Sequence, residues 1–182
     1  MMNLSSFRYQ TLVALSALIL FPCFANALLT AYLKIPDIPG ESQRVDHEDE
    51  IDIHEIAWKI ESSSTGGRTR SRAEVGPIYL KKYVDASSPY LALSTMQGKH
   101  FPDIVLAVRK DSGEAHLDYL VITMENAVVV SYEMDSKGGP GGLIEETIGI
   151  VFENITYKYT VQEDDHSAGD EHEITYDIAA GA

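Results

Sequence analysis

Two histidines, His47 and His54, stand seven residues apart, and Glu48, Asp49 and Glu50 follow the first of them. Imidazoles beside carboxylates are the raw material of a metal site, but zinc sites use recurrent spacings. No His-Glu-x-x-His occurs, and the single cysteine, Cys23, lies far upstream. The acidic run Asp46 to Asp52 lacks the Asp-x-Asp-x-Asp-Gly turn of a calcium loop. These residues are therefore read as a solvated loop, as are His166 and His172, and no metal or cofactor is expected. Arg68, Arg70 and Arg72 alternate with Thr69 and Ser71, so an extended chain turns three guanidinium groups the same way. Nucleic acid is a poor partner for them, because aromatic platforms are missing and the net charge is −14. They read as an exposed loop, or else as three guanidinium groups that reach the acidic surface of another copy of the chain. Ser88 sits in no Gly-x-Ser-x-Gly elbow, and Gly138 to Gly142 is followed by no Gly-Lys-Ser/Thr. No catalytic residue is assigned, and enzymatic activity is not expected.

The elements that would carry such residues begin after an unusual N-terminus. Arg8 is the only charge before Lys34, Leu12 to Phe21 form an apolar run, and Pro22 breaks it. Ala25-Asn26-Ala27 offers the small-x-small pattern at which a signal peptidase cuts, so residues 1–27 read as a secretory signal. Ten residues of helix rise about 15 Å, half a bilayer core, so stable membrane insertion is not expected. Cleavage leaves residues 28–182 without a cysteine in an oxidising compartment, and the core must hold without disulfides. Hydrophobic residues at 45% are enough for one packed domain.

Residues 28–182 alternate at period two almost throughout. A strand starts at Thr30 to Ile35, and Pro36, Pro39 and Gly40 then force a turn-rich excursion to Glu50. Ile51 and Ile53 fall out of phase with Ile56, Trp58 and Ile60, which predicts a β-bulge near His54-Glu55. Ser62 to Arg72 is a long loop, and Ala73 to Tyr83 is a strand interrupted by Gly76-Pro77. The sequence around Ser88-Pro89 predicts a short helix, with Ser88 as N-cap, Pro89 at its first position and Gly98 as a left-handed C-cap. Its stripe of Tyr90, Leu93, Met96 and Gln97 is expected to dock on a sheet.

Three strands follow, Asp103 to Lys110, Leu117 to Met124 and Ala127 to Met134, joined by a hairpin at Asp111-Ser112-Gly113-Glu114 and a tight junction at Glu125-Asn126. Gly138 to Gly142 forms a flexible loop, and Ile144 to Tyr159 forms one or two strands around Asn154. Residues 161–182 form an acidic tail with a last edge strand through Ile174, Tyr176 and Ile178. The fold class is mainly β, a small barrel or sandwich of antiparallel strands with one flanking short helix.

Ala31-Tyr32-Leu33-Lys34-Ile35, Gly40-Glu41-Ser42, the Trp58 strand with its Ser/Gly-rich loop, and Lys82 to His100 follow one another in the chain. Leu106 to Lys110, Ser131-Tyr132 and Tyr157 to Thr160 come after them. In this order the segments resemble the haemolysin-coregulated protein family of type VI secretion, a likeness that runs from about Ala31 to Ile178. The resemblance implies a barrel-like protomer closed into a hexameric ring. Rings stack into a tube, with effector proteins or the tip protein of the secretion machine as partners. It also implies that the loop Gly66, Gly67, Arg68, Arg70, Arg72 to Glu74 mediates stacking of ring on ring. Members ordinarily lack a signal peptide, so residues 1–27 set this chain apart. They raise an alternative, an exported relative that acts as a ring-forming or protein-binding module in the periplasm or outside the cell.

Overall fold

The computed structural model describes residues 29–62, 73–112, 115–137 and 139–181. They form β1 (Thr30–Lys34), β2 (Ile51–Ile53), β3 (Glu55–Glu61), β4 (Glu74–Tyr83), α1 (Ser88–Gln97), β5 (His100–Ser112), β6 (Ala115–Asp135), β7 (Glu145–Val151), β8 (Asn154–Gln162) and β9 (Ala168–Asp177). Every pairing is antiparallel. The main path runs β2-β1-β5-β6-β7-β4-β3, while β8 pairs with β6 and β9 pairs with β8. β2 and β3 lie at opposite ends of this path, yet His54 alone separates them in sequence. The His54 amide donates to Lys81 O at 3.0 Å, so one bent strand joins both edges and the path closes into a barrel. The expected bulge site is thus a break between strands.

Alternation fills the barrel. Leu33, Ile51, Ile78, Leu80, Ile104, Leu106, Met124 and Ile148 are completely buried. Gly76-Pro77 does not interrupt β4. The register shifts between Trp58 and Ile60 opposite this dipeptide, and Trp58 Nε1 donates to Gly76 O at 3.1 Å. Gly76 and Pro77 together oppose the single residue Lys59, so the bulge lies in β4 itself and accommodates a proline that has no N–H for the ladder. Leu117 to Met124 and Ala127 to Met134 are likewise one strand, the 21-residue β6. Asn126 passes through the left-handed region at φ 50°, and its side chain donates to Glu153 Oε2 at 3.0 Å. That one residue re-aims β6, which pairs with β8 through Leu120 to Glu125 and with β7 from Val128 onward.

Helix α1 differs from expectation at its start and on its faces. The N-cap is Ser87, so Ser88 is the first helical residue and Pro89 the second, whereas Gly98 closes the helix in the left-handed conformation at φ 58°. The buried face is Ser88, Leu91 and Ser94. Tyr90, Leu93 and Met96, the stripe expected to dock, are 51%, 47% and 79% exposed. Serines permit close approach to β6, and the Ser94 hydroxyl is satisfied within the helix, where Oγ donates to Tyr90 O at 2.7 Å. Elsewhere the glycine-rich loop holds a short 3₁₀ turn, Pro140–Gly142, and the acidic tail forms the edge strand β9 as expected.

The excursion between β1 and β2 is folded tightly. Gly40 N donates to Asp49 O at 2.7 Å, and a Cβ on Gly40 would lie 2.2 Å from Glu50 O. Asp37, Asp46 and Asp49 adopt positive φ, a conformation that aspartate tolerates better than most residues. The acidic run therefore serves turn geometry, and it buries His47.

Candidate functional site

Two clusters of ionisable groups are built into the barrel. The first lies where two core rows end in charges. Along β4 the inward residues are Ile78, Leu80 and Lys82, and along β7 they are Glu146, Ile148 and Ile150. Register sets Lys82 directly opposite Glu146, and neither has any exposure. Lys82 Nζ lies 2.8 Å from Glu146 Oε2, 2.8 Å from Asp85 Oδ1 and 2.8 Å from Tyr83 O. Ser88 Oγ accepts from Asp85 N at 3.0 Å and donates to Glu146 Oε2 at 2.8 Å. Tyr132 donates its hydroxyl proton to Glu146 Oε1 at 2.5 Å. Burial and this bond to a carboxylate push the Tyr132 phenol well above its ordinary value. Lysine beside serine is a pair that nucleophilic catalysts use, but here the ammonium is held by two carboxylates and has no exposed surface. The cluster joins β4, β6, β7 and the start of α1.

The second cluster pins the 35–50 excursion to the outer face of the barrel. The β5–β6 register shifts between Val108 and Arg109, so Tyr119 is the extra residue and Asp118 stands opposite Arg109. Arg109 Nε donates to Asp118 Oδ1 at 2.6 Å, and its Nη1 donates to Val45 O at 2.7 Å. His47 Nδ1 is 2.7 Å from Glu50 Oε2, and Nε2 is 3.2 Å from each Asp118 oxygen. The ring stacks on Tyr32, centroids 4.1 Å apart. Burial raises the Asp118 carboxyl, but the hydrogen bonds from Arg109 and His47, with their charges, outweigh it and hold the group below its ordinary value.

Of the sequence-assigned site residues only Glu74 lies among the described residues, and it belongs to neither cluster. Glu74 opens β4 and is exposed, while Gly66, Gly67, Arg68, Arg70, Arg72, Ala25 and Ala27 lie outside the described residues. The residues that sequence reasoning missed are Lys82, Glu146, Arg109 and Asp118. A signal existed for the first pair, since Ile78-x-Leu80-x-Lys82 and Glu146-x-Ile148-x-Ile150 each set a charge at the end of a core row. Among the described residues no group of three or more His, Cys, Asp or Glu side chains could hold a metal ion, and no helix is long and apolar enough to cross a membrane.

These features define an antiparallel β-barrel whose buried charges join strand to strand, with one helix offering an uncovered apolar face. The chain belongs to the Hcp family of type VI secretion system effectors, whose family model matches residues 32–159. It is 33% identical to protein hcp1 of Pseudomonas aeruginosa over 142 residues, which span 74% of this chain and 85% of that relative. A solved type six secretion system protein superposes with a TM-score of 0.77 at 22% identity, covering 85% of this chain and 98% of the other. Hcp1 from Salmonella typhimurium gives 0.71 at 27% identity, covering 84% and 97%.

Breaking a buried pair strands a charge, whereas replacing both partners does not. Lys82→Met is expected to lower unfolding stability by about 3–5 kcal/mol, and Lys82→Met with Glu146→Leu to recover most of that loss. Urea midpoints check both, and equal losses in the single and double variants would contradict the assignment. For Asp118 the folded value is depressed, so its stabilisation is present above the unfolded value of about 3.9 and is lost as pH falls through the lower folded value. The stability gap between wild type and Asp118→Asn should therefore shrink between about pH 5 and pH 2, as read from denaturation curves in acid.

Proposed function

We propose that this chain is a structural ring and tube component of type VI secretion, assembling hexameric rings that stack and carry or chaperone effector proteins. The family match over residues 32–159 carries this reading, because it takes in the barrel from β1 into β8 together with α1. The uncovered stripe of Tyr90, Leu93 and Met96 supports it, since exposed apolar faces mark contact surfaces. A side-by-side contact that closes by rotation gives a ring, and a second contact along the axis gives a tube. Stacking is assigned to the loop Gly66, Gly67, Arg68, Arg70, Arg72 and Glu74, whose guanidinium groups complement an acidic neighbour of the same sequence. Residues 1–27 are read as an export signal cleaved after Ala27, with residues 28–182 as the ring-forming unit.

Negative-stain imaging and mass measurement of residues 28–182 should give six-membered rings, and a monomer at high concentration would contradict the reading. Arg68, Arg70 and Arg72 changed together to Ala should weaken stacking and leave the melting temperature unaltered. N-terminal sequencing of the exported protein is expected to begin at Leu28, and an intact Met1 in cytoplasmic tubes would overturn the signal assignment.

A further inference from the structure

Strand β9 is paired on one side alone. It runs beside β8, and no other described strand meets its outer edge. From Asp170 to Thr175 every residue is exposed, and the backbone makes no hydrogen bond to a described residue outside the β8 ladder. Ile174 stands 66% exposed on this edge. Unpaired amides and carbonyls beside an uncovered apolar residue form a template on which another strand can add.

Charge decides which strand fits. Register sets Glu171 opposite Thr160 and Glu173 opposite Lys158, so both carboxylates stand on one face. Lys158 Nζ lies 3.2 Å from Glu171 Oε1, and Glu173 has no ion pair among the described residues. A second β9 laid antiparallel along the edge would bring carboxylate against carboxylate, which disfavours pairing of like with like. A basic strand is favoured instead. The chain has such a segment in Arg68-Thr69-Arg70-Ser71-Arg72, where cations recur at every second residue, as the two glutamates do. In extended form both rows repeat about every 6.8 Å.

We propose that the β9 edge receives this arginine segment from a second copy of the chain as an added strand. The inference rests on the stacking role proposed for that loop and names the surface it meets. Main-chain bonds to the open edge hold the segment, and the guanidinium groups over Glu171 and Glu173 set its register. Thr69 and Ser71 then fall on the other face, beside His172 and Ile174.

Two charge-reversed forms of the full chain test the proposal: one carries Glu171→Lys and Glu173→Lys, the other Arg68→Glu, Arg70→Glu and Arg72→Glu. Each alone should sediment as single rings, its stacking weakened about tenfold or more and its melting temperature held. Mixed together, the two should stack again, because the basic edge of one meets the acidic loop of the other and its arginine loop meets the acidic edge. In wild-type stacks the β9 amides should exchange hydrogen about tenfold more slowly than in rings dispersed by salt. The inference is overturned if the glutamate variant stacks like wild type while the arginine variant does not, an outcome that leaves the stacking role of the loop standing. If the arginine variant also stacks like wild type, or wild-type rings do not stack, that role falls as well. A mixture that stays as single rings, or β9 amides that exchange alike in stacks and rings, overturns the inference alone.

Discussion

A lysine with no exposed surface governs how the rest of this molecule must be arranged. Removing an ammonium and a carboxylate from water costs several kcal/mol per ion, and the cost is met only when every polar atom finds a partner in good geometry. Around Lys82 and Glu146 those partners come from four elements: Asp85 and Tyr83 at the end of β4, Glu146 on β7, Tyr132 on β6 and Ser88 on α1. None of these can shift by an ångström without stranding a charge. The pair therefore acts as a geometric lock, and it sets the start of the helix more firmly than helix propensity does.

The same logic appears between β5 and β6 with a different outcome. Arg109 and Asp118 meet because a bulge removes Tyr119 from the register, and His47 then bridges the pair to the excursion that covers β1. The buried lock fixes strands to one another. The part-buried cluster fixes a loop to strands, and its carboxylate stays ionised because two donors outweigh its burial. Between them the single bent segment at His54 joins the two sheet edges, leaving few unpaired backbone groups on the main path.

What remains uncovered is as ordered as what is buried. A helix that spends Leu91 and two serines on the barrel leaves Tyr90, Leu93 and Met96 facing outward from a rigid frame. Family membership places the chain among proteins of the type VI secretion machinery, and a stiff protomer with an apolar flank suits that work.

Much of the fold was legible in the residues themselves. Period-two alternation marks a strand at nearly every observed position, because a half-buried pleat repeats every second residue. Gly98 announces the helix end, since few other residues adopt the left-handed cap without strain. Local signals could not show that Glu125-Asn126 continues β6 and that Gly76-Pro77 stays within β4. The first depends on Glu153, which meets Asn126 from the β7–β8 junction, and the second on β3, which sets only Lys59 against the two residues of the dipeptide. The helix face was misjudged for the same reason. Hydrophobicity favours the Tyr90 stripe, but Ser88 has to reach Glu146 across a gap of 58 residues in sequence. Sequence by itself determined which residues alternate and where turns fall, because those are properties of adjacent side chains. Only the tertiary structure decided which charges are buried and which helix face is free, because an ion's desolvation is repaid by partners that the chain brings together from afar.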